Sequence, residues 1–292
     1  MKNFIKSNYN MYPKTIYKKD NIYFFFSENE KIIIVKTNKD SKYLDNLVKI
    51  SNQIYNNGIL VSTFILNNNN EYYTKKDNDY IVLLKYNDIN VDELNVKDVI
   101  KFNINDELNL EKLDIVKEME KKIDTLESEM TEYNKEYPII QESLNYFIGL
   151  SENGIQMLKN INVNNNFLAH NIEVDKFNIY ELNNPFNLIV SNKMYDVALY
   201  FKYKFYNDYI DYDELYNILI NNKKEDLICF YALMLYQKEY FDDVKQVLLN
   251  KKDEKILLNY INNINKYKEL LKYIKNSLHN INEILELEWI DK

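Results

Sequence analysis

The feature that most constrains this chain is a single change of hydrophobic period near residues 87 to 92. Before it, apolar residues come in short β-rich runs; after it, nearly every apolar stripe steps by three and four. "TIYKKDNIYFFFSENEKIIIVKTN" predicts three strands broken at "KKDN" and "SENEK", two polar, turn-tolerant stretches. "SKYLDNLVKISNQIYNNG" carries Leu44, Leu47, Val48, Ile50, Ile54 and Tyr55 at helical spacing, with Ser41 as N-cap and Gly58 as the stop. "ILVSTFIL" and "DYIVLLKY" read as two more strands, joined by a long hairpin loop, "NNNNEYYTKKDN". The order β-β-β-α-β-β predicts a five-stranded lobe over 1–90.

From 91 to 292 the reading is a helical lobe. Leu113, Val116, Met119, Ile123, Leu126 and Met130 form an amphipathic stripe, and Pro138 suits the first turn of the next helix, giving an antiparallel helical hairpin. The stripe is under three heptads long, which favours a packed helix over a coiled coil. Six further helical segments follow residue 192, ending in "INEILELEW". The fold class is α+β: a small antiparallel β-lobe with one helix, then a larger helical lobe.

Composition removes several functions. Net charge is -8 with Lys and Glu mixed along the chain, so the clustered cations of a nucleic-acid surface are lacking. The 27 Tyr and 14 Phe read as packing residues in a biased composition, not as a base-stacking platform. One cysteine, Cys229, excludes an internal disulfide, and its apolar run "LICFYALMLY" makes it a core thiol. Two histidines are too few for a histidine metal cluster. No apolar run has the length of a membrane span or the form of a signal peptide, so a cytoplasmic protein is expected. "YNDYIDYDELYN" lacks the glycine and ligand spacing of a calcium loop, and Asp211 or Asp213 as a helix N-cap explains it.

Particular segments resemble a known family. "KKIDTLESEM" and "YPIIQESLNYFIGLSENGIQML" are similar to the helical lobe of bacterial spore-coat kinase-like proteins, within the aminoglycoside-phosphotransferase and choline-kinase-like superfamily. The matching features are Lys122-Ile123-Asp124 with Glu127, and Tyr146-Phe147 with Gly149, Glu152 and Asn153. "NNPFNLIV", "YDVALYFKYKF" and "LICFYALMLYQKEYFD" look like later parts of the same proteins, and the likeness spans about residues 15 to 250. It implies a protein-kinase-like two-lobe fold. In active members it implies ATP and Mg²⁺ held by a strand lysine, a helix glutamate, a His-Gly-Asp loop with a following Asn, and a metal-binding Asp. Phosphoryl transfer needs these groups because its charge sits on phosphate oxygens.

Transferred residue by residue, the resemblance is incomplete. Lys36 stands at the strand-lysine position, and the next helix offers only Asp45 as its acidic partner. His170 matches the loop histidine. Asn171 replaces the glycine and Ile172 replaces the catalytic Asp, leaving Asp175 as the one substitute base. Phe177 takes the metal-binding Asn position with Asn178 one residue late, and Glu181 stands for the metal Asp. Asp196 resembles an Asp that braces the loop backbone. A general base alone supplies ~10²–10⁴ in rate, so losing the loop Asp implies a pseudokinase: a binding or scaffold protein with a protein partner, not an enzyme. ATP and Mg²⁺ enter only if nucleotide binding is retained. Two other readings stay open: an active small-molecule phosphotransferase with a rearranged site, and a helical interaction module unrelated to kinases. Spore association follows from the family likeness alone.

Overall fold

The computed structural model describes residues 1–278 apart from 20–21, 29, 60, 87–93, 103, 105–109, 134–136 and 163; the side chains of 19, 131–133 and 175 also lie outside the description. The change of period at 87 to 92 and the terminal "INEILELEW" with His279 therefore fall outside the described residues. The chain divides into two compact units. One is formed chiefly by Met1–Asn95 and Asn178–Leu188; the other chiefly by Glu111–Phe177 and Ile189–Lys292.

The first unit is an antiparallel sheet. β1 (Tyr17–Lys19), β2 (Ile22–Ser27) and β3 (Glu30–Thr37) run as a meander; α2 (Ser41–Asn56) follows, then β4 (Thr63–Phe64), β5 (Thr74–Lys76) and β6 (Asp79–Tyr86). The order is β1-β2-β3-β6-β4, with β5 also on β6. β6 is long enough to take β4 at Lys85 and Leu84 and β5 from Asp79 to Ile81. The connector expected to be only a loop thus contains a strand, and the sheet has six strands where five were expected. Asp77 supplies the positive φ (58°) of the β5–β6 turn, a conformation Asp tolerates better than most residues. The "TFIL" half of the expected fourth strand pairs with β6 at Thr63 and Phe64, and the Ile65 N–H donates to the Leu83 carbonyl at 2.9 Å.

A helix that the sequence reading lacks, α1 (Lys2–Tyr9), covers one sheet face. Its Ile5 and Tyr9 pack with Phe25, Ile32, Ile34, Ile81 and Leu83, and the Tyr9 hydroxyl donates to the Ile81 carbonyl at 2.9 Å. α2 is amphipathic as expected, but Asp40 caps it, accepting from the Tyr43 N–H, in place of Ser41. Gly58, at φ 80°, ends the helix as predicted.

The second unit is helical around one buried core. α3 (Val96–Ile100) precedes the hairpin of α4 (Ile115–Tyr133) and α5 (Pro138–Lys159). A two-stranded sheet, β7 (Phe167–His170) with β8 (Leu188–Ser191), lies between that hairpin and the later helices in sequence. These are α7 (Tyr195–Asn207), α8 (Tyr212–Asn221), α9 (Lys224–Leu235), α10 (Lys238–Leu248), α11 (Leu258–Asn262) and α12 (Ile264–Ser277); the four-residue α6 (Ile179–Leu182) belongs to the first unit. α9 is buried along Leu227–Leu235. α5 runs so close to it that a Cβ on Gly154 would stand 2.5 Å from the Ala232 carbonyl oxygen. Met119, Ile123, Leu126 and Met130 are buried, so the α4 stripe is a packed face. Asp211 caps α8 by accepting from the Asp213 and Glu214 N–H groups. Cys229 is free and buried, and burial pushes its thiol pKa up. No described helix is long and apolar enough to cross a membrane.

Candidate functional site

In the helical unit the candidate loop begins where β7 ends. His170 is fully buried. Its backbone N–H donates to Asp196 Oδ1 at 2.9 Å, and its Nδ1 lies 2.6 Å from Asp196 Oδ2. The first turn of α7 supplies Asp196, itself 1% exposed. Phe102 meets the imidazole edge-on at 4.7 Å. His170 Nε2 is buried with no partner among the described residues. The Asp196 brace implied by the resemblance is therefore built, and it fixes both the backbone and the ring of His170.

The loop beyond the histidine turns apolar side chains inward. Ile172, Val174 and Phe177 are 3%, 4% and 1% exposed. Asn171, Glu173 and Lys176 face outward, the last two ion-paired with each other. Asp175 lies in the 3-10 turn Val174–Lys176, and its side chain is outside the description. Ile172 offers no acceptor for a hydroxyl proton, and its burial makes it part of the core.

In the sheet unit the remaining candidates occupy separate places. Lys36 ion-pairs with Asp79 at 2.9 Å and is 65% exposed. Asp79, first by hydrogen bond and then by charge, raises the Lys36 pKa. Asp45 accepts the Tyr73 hydroxyl at 3.0 Å. Lys36 and Asp45 thus have different partners and are not paired with each other. Asn178 caps α6, its Oδ1 accepting from the Tyr180 and Glu181 N–H groups at 2.9 and 3.1 Å. Glu181 Oε2 accepts from Asn187 Nδ2 at 2.7 Å. The structure brings Asn178 and Glu181 together on one helical turn, where their hydrogen bonds serve the turn itself.

One residue escapes the sequence reading. Strand alternation puts Lys36 on the face of Ile32 and Ile34, the face that α1 covers. Lys31, five residues earlier, has the opposite parity. Its ammonium lies 4.2 Å from the Tyr180 ring centroid, 4.7 Å from Phe24 and 5.7 Å from Tyr86. Tyr86 and Tyr180 stack at 4.7 Å. The parity of "EKIIIVKT" carries that signal, which a search for a lysine ending an apolar run overlooks.

Mg²⁺ with a nucleotide, the group that such a fold implies, does not fit this donor set. The strand lysine is tied to Asp79, the Asn178 oxygen caps a helix, and one Glu181 oxygen is bonded to Asn187. Among the described residues no group of three or more His, Cys, Asp and Glu is placed to hold a metal ion.

A small antiparallel lobe and a larger helical lobe define the kinase-like class of α+β proteins, and this chain has that fold. The solved structures it is similar to share it. An aminoglycoside phosphotransferase from Alicyclobacillus acidocaldarius subsp. acidocaldarius DSM 446 aligns over 96% of this chain and 97% of its own, at TM-score 0.67 and 11% identity. Spectinomycin phosphotransferase, in complex with ADP and spectinomycin, aligns over 94% and 92%, at TM-score 0.58 and 13% identity. An amicoumacin kinase in complex with AMP-PNP, Ca²⁺ and Ami aligns over 98% and 94%, at TM-score 0.51 and 11% identity. No family model matches the chain, and no curated protein matches it significantly.

Proposed function

We propose that this chain is a kinase-like protein that has kept the aminoglycoside-phosphotransferase scaffold and lost phosphoryl transfer, and that it works as a binding protein. One observation carries this reading. His170 and Asp196 form the buried brace of a catalytic loop, yet the position two residues on, where the resemblance places the catalytic Asp, holds a core isoleucine, Ile172. Phosphoryl transfer is mostly positioning and charge neutralisation. The acceptor hydroxyl has no carboxylate at that position, and the lysine and oxygen donors are engaged elsewhere. The similar proteins hold nucleotides in their solved complexes; at 11–13% identity that likeness supports the fold and leaves the chemistry to these residues.

The test is ADP release from Mg²⁺-ATP with spectinomycin and other aminoglycosides offered as acceptors. The expected rate equals the protein-free control. Acceptor-dependent ADP release that disappears in Asp175→Asn contradicts the proposal and establishes a rearranged active site.

A further inference from the structure

The helical unit contains a cavity of about 370 Å³, which Asn171 of the candidate loop borders. It lies among α4, α7, α9 and α10, and its walls are of two kinds. Leu113, Ile115, Met119, Leu199, Leu233 and Phe241 make an apolar body. Five lysines, 121, 122, 202, 238 and 245, also line it, against two carboxylates, Glu118 and Asp242. We propose that this cavity binds an amphiphilic organic anion, with an apolar body and a carboxylate or phosphate head.

One of these lysines is buried, and Lys122 and Lys238 are half-buried. Lys202 is 2% exposed. Its ammonium donates to the Tyr236 carbonyl and stands 3.5 Å from Glu239 Oε2, too long for a strong ion pair. Lys238 meets the hydroxyl of Tyr195, and against the effect of burial the charges of Asp242 and Glu239 raise its pKa. Lys122 has Asp242. Lys121 and Lys245 are exposed at the rim. Burial is the largest influence on Lys122 and Lys202, and it lowers the pKa of both. Around the cavity five ammonium groups face three carboxylates, Glu118, Asp242 and Glu239, and a ligand anion supplies balancing charge. The volume suits a small ligand, and a mostly apolar lining with a few convergent polar groups is the usual make-up of such sites.

This inference is independent of the silent-loop reading, because anion binding and phosphoryl transfer are measured separately. The probes are decanoate, decyl phosphate and decyltrimethylammonium, titrated calorimetrically into the full chain. Saturable binding of one or both anions is expected at one site, with the cation at least tenfold weaker; the better anion identifies the head group. Lys238→Met is expected to weaken the anion at least tenfold. Lys121→Glu changes an exposed rim residue and leaves the core intact, so it keeps the test open if Lys238→Met does not fold; it too is expected to weaken the anion. Equal binding of cation and anions, no saturable anion binding, or anion affinity unchanged in a folded lysine variant overturns the proposal.

Discussion

Ile172 and Asp196 define the candidate site by opposite means. The first is an apolar side chain in the core at a position where the resemblance implies a carboxylate; the second is a carboxylate in the core that accepts from the His170 N–H. Ile172→Asp is therefore expected to create no transferase activity. It exchanges a buried alkyl group for an unpartnered acid and is expected to cost at least about 3 kcal/mol of stability, read as a lower urea midpoint. An Ile172→Asp variant that folds as well as wild type and releases ADP contradicts the assignment. Asp196→Ala strips both hydrogen bonds from buried His170, and leaving a buried donor unsatisfied costs about 1–3 kcal/mol. Hydrogen exchange at the His170 amide is expected to accelerate in the same variant.

Two glycines of α5 give an element-scale test, because helix propensity and packing separate between them. Gly149 has open space where a Cβ would go, so Gly149→Ala is expected to gain up to about 1 kcal/mol. Gly154 faces the Ala232 carbonyl at 2.5 Å, so Gly154→Ala is expected to lose stability despite the same propensity gain. Thermal denaturation of the two variants checks both signs, and a stabilised Gly154→Ala contradicts the α5–α9 packing. The long amphipathic elements α2, α4 and α5 were legible because their apolar period repeats for four turns or more. α1 was not: in eight residues only Phe4, Ile5 and Tyr9 mark it, and its helix is stabilised by docking on the sheet. β5 was hidden for a related reason. "TKK" has no apolar alternation, and β6 supplies its hydrogen bonds.

At the scale of the molecule, the proposed loss of a loop carboxylate rests on a single letter, since Ile172 cannot be an acid whatever its surroundings. The lysine-lined cavity was not legible in the sequence, because its cations come from three helices far apart in sequence. The buried tyrosines are a second property of the whole. Burial is the main cause that raises the pKa of Tyr195, Tyr206, Tyr236, Tyr240 and Tyr267 above 10, and that of Tyr146 to about 12. A phenol with a raised folded pKa adds stability that is complete below its unfolded value of about 10 and is lost as pH rises beyond it. The lowered pKa values of Lys122 and Lys202 act oppositely, adding stability as pH climbs toward about 10.5 and nothing further above it. The melting temperature is therefore expected to hold between about pH 7 and 9 and to fall steeply above about pH 10.5.

The proposed loss of phosphoryl transfer from this kinase-like scaffold has a direct readout. The most direct test is a single-turnover reaction with protein in excess over γ-labelled ATP and Mg²⁺, following label into phosphate, acceptor or the chain itself. No transfer above the protein-free rate is expected from wild type or from Asp175→Asn. Transfer by wild type that Asp175→Asn abolishes would contradict the proposed loss.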